Sequence, residues 1–457
     1  MSQERNPTVA VVGAGLAGLV AARHLAAAGV DVTLYERRDE VGGRVRTLER
    51  DGFRLDRGFQ VLFTDYPAVR AELDLEGLAL RSFAPGAVIA RDGHRSTLSD
   101  PLRDPTALPA TLFNRDVTVG DKLRVLRLKW RLAGTDPETI FTGEDATIHD
   151  YLRDQGFSDR FITRFAAPFY GGITLDRSLS TSKRVFEYTF RTLSSGSIAV
   201  PATGMGAIPA QLIDQVRAAG ARIETGATVT AVDANTDGDG VGDDDGVAYT
   251  LEGTTRETAD AVIVAVDPPT AHELTGLESI PTEGKGCITQ YYAMPKGTDL
   301  ETGGRLLLNA ADDAGPNHVV PHSEVAPEYA PDDATLISAT YLGFPEDTDE
   351  TLDVTNERPE DTDETPTATA ETLLERTRAS LAAWYPERRF GDLEHVHTER
   401  VPFAQFAQPP GIHDRLPSVR DPGGSVYLAG DYTQWSSIQG ALESGRLAAR
   451  AVVRDLE

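Results

Sequence analysis

Three glycines near the start of the chain have the spacing of a loop that holds the phosphates of a dinucleotide. They lie in GAGLAG, residues 13–18, directly after the apolar run TVAVV. Gly13 permits the tight turn after a strand, Gly15 lets the backbone approach a pyrophosphate, and Gly18 lets the next helix pack closely on the strand. The free N–H groups at the helix start, at Leu16 and Ala17, offer phosphate a positive site.

The flanking sequence predicts the elements that this loop needs. LAGLVAARHLAAAG has helical spacing and VDVTLY is typical of a strand, which completes a βαβ unit. Glu36 closes the second strand, 18 residues after Gly18. A carboxylate there accepts hydrogen bonds from ribose hydroxyls and repels a 2′-phosphate, which disfavours NADP at this site.

A glycine doublet and an arginine, Gly42, Gly43 and Arg44, follow that carboxylate in ERRDEVGGRVRTLERDGFRLDRGFQ. Here the chain resembles the flavin-containing amine oxidase superfamily, which includes monoamine oxidases, protoporphyrinogen oxidases and carotenoid desaturases. The resemblance implies resident FAD, with the doublet and Arg44 near its pyrophosphate and Arg37 beside the ribose carboxylate. It also implies that the backbone passes the flavin at Gly58, Phe59 and Gln60, and that Val229, in GATVTAV, contacts the adenine.

The far end of the chain carries the second half of the resemblance, SVYLAGDYTQWSSIQGALESGRLAA, residues 425–449. Ser436 and Gln439 fit a capping box, which predicts a helix whose positive end stabilises negative charge on a reduced flavin. The resemblance places Gly430 and Asp431 at the flavin, with Asp431 on the ribityl chain. Gln439 and Gly440 join the predicted cofactor-binding residues.

The resemblance that these motifs carry implies an α/β fold: a Rossmann-like FAD-binding domain of the GR2 type with an inserted α+β substrate domain. We expect the FAD-binding domain to be discontinuous, over 1–75, 200–270 and 395–457. The substrate-binding domain is predicted over 76–199 and 271–394. The acidic stretch 346–366 is interpreted as a flexible insertion, and the Gly- and Asp-rich stretch 235–246 as a solvated hairpin loop.

The predicted reaction is hydride transfer from an apolar substrate, isoprenoid, carotenoid-like or porphyrinogen-like, to the flavin. The closing motif resembles the desaturases more than the amine oxidases, and VPFAQFAQPPG, residues 401–411, supplies an apolar wall. The alternatives are an amine oxidase that releases hydrogen peroxide and a flavoprotein without net redox turnover. No catalytic side chain is assigned; Lys285 is a weak candidate, and the substrate-lining candidates are Tyr170, Phe403, Gln405, Tyr432 and Trp435.

Composition narrows the partners. The formal net charge of −27 disfavours nucleic acid and is typical of adaptation to salt. The single cysteine, Cys287, excludes an intrachain disulfide and a cysteine-rich zinc site; no metal site is predicted, and His395 and His397 on one strand lack a third ligand. We expect non-covalent FAD and a cytoplasmic location. The sequence leaves the oligomeric state open.

The segment 115–132 opposes the global charge, with six basic residues against two acidic ones. A basic helix with Leu, Val and Trp could lie on an anionic membrane surface, which would make membrane contact peripheral. An ordinary packed helix is the preferred interpretation, because the apolar positions are not confined to one face.

Overall fold

The computed structural model describes residues 5–100, 103–233, 246–253, 256–311, 313–344 and 367–457. Its strands are β1 Thr8–Val12, β2 Asp31–Glu36, β3 Thr47–Arg50, β4 Phe53–Asp56, β5 Leu62–Phe63, β6 Leu80–Ser82, β7 Ala87–Arg91, β8 His94–Leu98, β9 Ile198–Pro201, β10 Arg222–Thr225, β11 Val229–Asp233, β12 Val247–Leu251, β13 Arg256–Ala259, β14 Ala261–Val264, β15 Gly284–Pro295, β16 Leu306–Asn309, β17 His318–Val320, β18 Ala334–Leu342, β19 Glu394–Phe406 and β20 Val426–Leu428.

The α-helices are α1 Leu16–Ala27, α2 Pro67–Glu72, α3 Leu108–Phe113, α4 Val119–Ala133, α5 Pro137–Ile140, α6 Ile148–Asp154, α7 Asp159–Phe161, α8 Ala167–Thr174, α9 Lys183–Ser195, α10 Ala207–Ala218, α11 Pro268–Thr275, α12 His322–Val325, α13 Thr367–Trp384 and α14 Ile438–Leu456. A π-helical turn, Ile162–Ala166, joins α7 to α8.

A five-stranded parallel sheet in the order β10-β2-β1-β14-β20 forms the dinucleotide-binding core. Helix α1 packs against α10 and α14. A Cβ at Gly445 of α14 would lie 2.2 Å from the carbonyl oxygen of Ala17, so only glycine permits this close approach of α14 to α1. The predicted βαβ unit and the Rossmann-like fold are confirmed, and the sheet draws its strands from the start, the middle and the end of the chain.

A second, seven-stranded sheet has the order β19-β15-β18-β17-β16-β7-β8. All of its pairings are antiparallel except that of β16 with β7. Strand β19, which begins one residue before the predicted start of the last FAD-binding segment, pairs along its length with β15 of this second sheet. That thirteen-residue strand is long because both of its ends find backbone partners in the second sheet.

Helices α4 and α6–α9 enclose an aromatic cluster beside the second sheet. Four of its phenylalanines form a ladder at four-residue intervals: the ring centroids of Phe157 and Phe161 are 4.5 Å apart, those of Phe161 and Phe165 5.4 Å, and those of Phe165 and Phe169 5.3 Å. This ladder runs through α7, the π-helical turn and α8.

Two predictions lie outside the described residues: most of the hairpin loop, at 235–245, and the acidic insertion 346–366. Within the described ranges, the helices are all too short or too polar to cross a bilayer.

Candidate functional site

A cavity of about 640 Å³ is lined by residues from both large sheets and from helices α1, α8, α9 and α14. Most of the predicted cofactor-binding residues lie on its wall: Gly13, Gly15, Leu16, Ala17, Glu36, Arg37, Gly42, Gly43, Arg44, Gly58, Phe59, Gln60, Val229, Gly430 and Asp431. Gly18, Gln439 and Gly440 do not. The structure therefore brings together motifs from opposite ends of the chain in one cavity.

The three glycines of the first loop have different surroundings. Gly13 has φ +101°, and a Cβ there would lie 2.7 Å from the carbonyl oxygen of Ala265. A Cβ at Gly18 would lie 1.9 Å from the Gly13 oxygen, so Gly18 serves packing of α1 and not the cavity. At Gly15 a Cβ would meet no atom within 4 Å. Gly15 therefore leaves open space at the start of α1, where no side chain caps the helix.

Glu36 ends β2 and is 6% exposed. Its Oε2 accepts a hydrogen bond from the Ala14 N–H at 2.9 Å, and its Oε1 accepts one from the Arg38 N–H at 3.1 Å. These backbone donors fix the carboxylate on the cavity wall beside Arg37. The carboxylate is thus preorganised as an acceptor for ribose hydroxyls.

The glycine doublet closes around the first loop. Gly42 and Gly43 have φ values of +114° and +61°, and the Gly42 N–H donates to the Ala14 oxygen at 2.9 Å. A Cβ at Gly43 would lie 3.2 Å from the Cα of Gly15, so the two loops approach each other closely. Glycine at both positions permits the left-handed backbone that this approach requires.

Arg44 joins the two ends of the chain. Its Nη2 donates to Asp431 Oδ1 at 2.7 Å and its Nη1 to the Ala404 oxygen at 3.0 Å. Burial alone would lower the pKa of Arg44, but Asp431 holds that pKa above its ordinary value. Asp431 is 2% exposed and also accepts a hydrogen bond from the Ser436 hydroxyl at 2.9 Å. The charges of Arg44 and Asp431 therefore neutralise each other on the cavity wall.

The predicted capping box at the closing motif is wrong. Ser437 caps α14, because its hydroxyl accepts a hydrogen bond from the Gly440 N–H at 2.8 Å, whereas Ser436 binds Asp431. Gln439 instead accepts a hydrogen bond from the Ala68 N–H at 2.8 Å. A Cβ at Gly440 would lie 2.1 Å from the Trp435 oxygen, so this glycine serves the tight turn into α14.

Gly58, Phe59 and Gln60 form a strip along the cavity after β4. The Gln60 side-chain amide donates to the Arg44 oxygen at 2.8 Å, which ties the strip to the glycine doublet.

Asp56, at the end of β4, is 2% exposed and accepts hydrogen bonds from Thr47, Met205 and Tyr329. Desolvation raises its pKa to about 6, the largest departure of a carboxyl group toward neutrality near the cavity.

The remaining wall comes from the second sheet and from α8 and α9. Phe403 and Gln405, predicted as substrate-lining residues, lie on it, and the third candidate, Trp435, lines the cavity from the segment between β20 and α14. The sequence interpretation missed Phe169, Ile173, Val185, Cys287, Leu306, Leu308 and His318. The alternation of side chains along a strand could have identified the two residues of β16. Leu306 and Leu308 face the cavity, while Leu307 packs into the core on the other side of the sheet.

Three other candidate residues do not lie on the cavity. Tyr432 is fully buried in the core and donates its hydroxyl to the Val264 oxygen at 3.1 Å. Tyr170 packs edge-on against Phe186 in the aromatic cluster, with ring centroids 4.5 Å apart. Lys285 forms an ion pair with Asp176 at 2.9 Å. Each was predicted from its place in a motif, which does not give the direction of the side chain.

The two histidines of β19 have local partners. His395 lies 2.7 Å from the Thr398 hydroxyl, and His397 lies 3.2 Å from Glu399. The described part of the chain contains no group of three or more His, Cys, Asp and Glu side chains that could hold a metal ion.

The cavity fits an extended dinucleotide cofactor on the evidence of its own atoms. Open space lies over Gly15, where a Cβ would project, and the uncapped start of α1 directs N–H groups to the same place. Glu36 supplies the ribose acceptor, and Arg44, Gly58 and Asp431 continue the wall toward α14. These residues would hold FAD, and the apolar wall would remain for a second molecule.

Comparisons with known proteins agree with this geometry. The family model described as flavin containing amine oxidoreductase matches residues 16–453. The phytoene dehydrogenase of Streptomyces griseus is 31% identical over 299 residues, which is 59% of this chain but only 56% of that relative. The 15-cis-phytoene desaturase of Narcissus pseudonarcissus is 24% identical over 99% of this chain and 80% of its own length.

Among solved structures, a proposed protoporphyrinogen oxidase from Exiguobacterium sp. 255-15 superposes with a TM-score of 0.70. The superposition covers 99% of both chains at 16% sequence identity. At that identity the similarity supports the fold alone.

Proposed function

The chain belongs to the flavin-containing amine oxidoreductase family and is an FAD-dependent oxidoreductase, and we propose that its substrate is an apolar compound that it dehydrogenates. The isoprenoid, carotenoid-like and porphyrinogen-like classes fit this description. When bound, FAD supplies the acceptor for a hydride from carbon. The residues of the chain supply binding, orientation and the exclusion of water.

One observation supports the proposed substrate class: among the described residues, the cavity wall from the second sheet, α8 and α9 presents no side chain that is charged at neutral pH. Its two titratable groups are both shifted toward the neutral form by burial, which lowers the pKa of His318 to about 4 and raises that of the Cys287 thiol to about 12. A hydrocarbon surface buried there gains about 25 cal/mol per Å².

Aromatic side chains fix one end of this wall. The Trp435 ring packs against Tyr66, Tyr188 and Phe141, with centroid separations of 5.8, 5.2 and 5.9 Å. Tyr66 also lines the cavity. Because these rings support one another, the wall is a rigid surface against which a flat or extended substrate can be positioned.

An amine oxidase that releases hydrogen peroxide is the second candidate function, supported by the family alone. An ammonium group that leaves water needs a carboxylate or another acceptor. The two buried carboxylates on the cavity already have partners: Asp431 binds Arg44 and Ser436, and Glu36 binds two backbone N–H groups. Among the described residues, the wall from the second sheet, α8 and α9 carries no carboxylate, so the geometry favours the apolar substrate. A flavoprotein without net redox turnover is the third candidate.

Anaerobic mixing tests the proposal. A phytoene-like polyene or a porphyrinogen, dispersed in detergent, is expected to bleach the oxidised flavin absorbance of the holoenzyme, whereas benzylamine and alkyl diamines are not. Bleaching by amines, with peroxide formed when oxygen is admitted, would reverse the ranking. Conversion of a polyene without bleaching would support the third candidate.

A variant of the wall sharpens the test. Ile173 is half-buried on the cavity, so Ile173→Glu places a carboxyl group against the substrate without removing an FAD contact. We expect reduction by the polyene to slow at least about tenfold, since burying an unpaired polar group costs about 1 to 3 kcal/mol. Ile173→Leu is the matched control. Equal rates for the Glu variant and the control would contradict the placement of the substrate.

A further inference from the structure

Helix α4 has two apolar faces, and only one of them packs against other parts of the chain that the structure describes. Val125, Leu128 and Leu132 pack into the aromatic cluster. Val119, Leu123, Leu126 and Trp130 follow one another at intervals of four, three and four residues, which places them on a single face at 3.6 residues per turn. The sequence interpretation noted apolar residues all round this helix and favoured a packed helix, but no described residue outside α4 covers the second face.

That second face holds most of the exposed apolar surface of large side chains. In the described ranges four large hydrophobic side chains are exposed, and three of them are Val119 at 71%, Leu123 at 64% and Trp130 at 72%. Trp130 is also the only exposed tryptophan, since Trp384 and Trp435 are buried. We call the stripe formed by Val119, Leu123, Leu126 and Trp130 the α4 stripe.

Cations flank the α4 stripe on both sides. On a helical projection Arg127 and Arg131 lie along one edge, and Lys122 and Lys129 along the other. Arg127 has no ion-pair or hydrogen-bond partner among the described residues, whereas Lys129 pairs with Asp100 at 2.6 Å and Arg131 with Glu187 at 3.0 Å. The two acidic residues of the segment, Asp116 and Asp121, are fully buried and held by internal donors. The outward face is therefore basic on a chain whose net charge is −27.

We propose that the α4 stripe docks on the surface of an anionic phospholipid bilayer, with α4 lying parallel to the surface. An apolar face with Trp and Leu between rows of Lys and Arg is the pattern of helices that insert into the headgroup region. Each cation close to an anionic leaflet adds favourable energy to the docking of α4.

A second copy of the chain fits this face less well. One helix with four apolar side chains offers much less than the roughly 800 Å² per partner of a standard protein interface. A two-fold symmetric contact through the stripe would also set the cations of one α4 against those of the other. The bilayer supplies both the apolar depth and the opposite charge.

Docking through α4 connects the bilayer to the wall of the cavity. Asp121 of α4 accepts hydrogen bonds from the Ser158 N–H at 2.8 Å and the Ser158 hydroxyl at 2.6 Å, which fixes the start of α4 to the start of α7. The phenylalanine ladder begins at that point and ends at Phe169, on the cavity wall. If the proposed function holds, the docked enzyme has an apolar path of packed rings between the membrane side and the substrate site.

Vesicle flotation without any substrate tests the docking, so its failure and that of the proposed function are distinguishable. The FAD-loaded protein is mixed with phosphatidylglycerol or phosphatidylcholine vesicles at the lowest KCl concentration at which it stays folded and at about 2 M. The double variant Leu123→Ser with Trp130→Ser removes two apolar side chains of the α4 stripe. The variant Arg127→Glu reverses the charge of a cation at its edge. Leu48→Ser and Arg450→Glu are the matched controls, since Leu48 is the fourth exposed hydrophobic and Arg450 is an exposed arginine on α14.

We expect flotation with phosphatidylglycerol, reduced at least about tenfold by the double Ser variant at both salt concentrations. Arg127→Glu should reduce flotation about tenfold only in the lower salt, because the Debye length falls to about 3 Å near 1 M. The controls should float like the parent. Lipids brominated in the acyl chains should quench the parent more than Trp130→Phe, because only Trp130 is exposed.

Three results would overturn the proposal. The first is absence of flotation with phosphatidylglycerol at both salt concentrations. The second is equal flotation of the α4 variants and the parent. The third is a parent that light scattering shows to be dimeric and that the double Ser variant makes monomeric without any vesicle binding, which would assign the α4 stripe to a second copy.

Discussion

A single buried carboxyl group, Asp56, should make the stability of the protein depend on pH in a direction unusual for an aspartate. Asp56 ends β4. It lies two residues before Gly58, the first residue of the strip along the cavity. Its Oδ1 accepts hydrogen bonds from the Thr47 hydroxyl at 2.6 Å and the Met205 N–H at 2.8 Å, and its Oδ2 accepts one from the Tyr329 hydroxyl at 2.9 Å. These three neutral donors are its side-chain contacts in the described ranges, and no cation neutralises it.

The magnitude follows from the pKa. Burial raises the pKa of Asp56 from 3.8 to about 6, despite the three hydrogen bonds. The folded state therefore binds a proton that the unfolded state has released between these values, so the free energy of unfolding falls as the pH rises from about 4 through about 6. At about 1.4 kcal/mol per pKa unit the loss is about 3 kcal/mol at neutral pH. It is absent below the unfolded pKa.

Asp56→Asn removes this loss while keeping the shape. The amide oxygen can accept from Thr47 and Met205, and the amide nitrogen can donate to the Tyr329 oxygen. At about 2.1 cal/mol/K of unfolding entropy per residue, 3 kcal/mol corresponds to roughly 3 °C for a chain of 457 residues. We expect the variant to melt up to about 3 °C above the parent at pH 7 and to lose that advantage near pH 4.

Scanning calorimetry of the FAD-saturated proteins in molar KCl measures this difference, since salt screens the repulsion of the other carboxylates. Asp116→Asn is the control of opposite sign. Burial favours protonation of Asp116 as well, but Ser96, His94 and Arg91 hold its pKa at about 2. Its charge therefore stabilises the fold at neutral pH, and Asp116→Asn should melt below the parent there. A constant melting difference between Asp56→Asn and the parent from pH 4 to 7 would refute the reasoning.

Three further predictions concern the cofactor and the charge. Glu36→Ala should bind FAD at least about tenfold more weakly, because each charge-assisted hydrogen bond to ribose is worth about 1.5 to 3 kcal/mol; equal retention in equilibrium dialysis would contradict the ribose assignment. Melting temperatures should rise from low to molar KCl, given 71 acidic and 44 basic residues, and a flat or falling curve would argue against salt adaptation. Acid precipitation should leave the flavin in the supernatant, because burial raises the pKa of the single cysteine thiol, Cys287, to about 12 and so disfavours the thiolate that would attack the flavin; flavin in the pellet would show a covalent bond.

The sequence alone predicted those parts of the site that are formed by residues close together in the chain. The turn at Gly13, the close packing at Gly18 and the carboxylate at Glu36 all follow from one βαβ unit whose strands are apolar and whose loop is short. The closing segment was placed by its motif, and β20 adds to the same sheet beside β14. In the first case backbone geometry within about thirty residues decides the position, whereas β20 was placed by the resemblance of its motif, because its partner strand β14 lies more than 150 residues earlier in the chain.

The sequence alone did not predict those site residues whose place depends on the direction of a side chain or on the pairing of strands far apart in the chain. Ser436 and Ser437 are equally good caps by type, and only the extended backbone at Ser437 selects the second. Tyr432 points into the core from a turn whose neighbour Asp431 faces the cavity. His318 and Leu308 reach the wall through the pairing of β16 with β17 and, in parallel, with β7, more than 200 residues earlier in the chain.

The ion pair between Arg44 and Asp431 makes the cofactor-binding site depend on the folding of both ends of the chain. Its partners are 387 residues apart, and their atoms meet at 2.7 Å only when β1, β14 and β20 lie side by side and α14 packs on α1. A buried Asp431 without Arg44 would be an unpaired charge, which costs several kcal/mol. The cofactor cradle is therefore complete only in the fully folded chain, and FAD, which binds that state alone, stabilises both ends of the chain together by mass action.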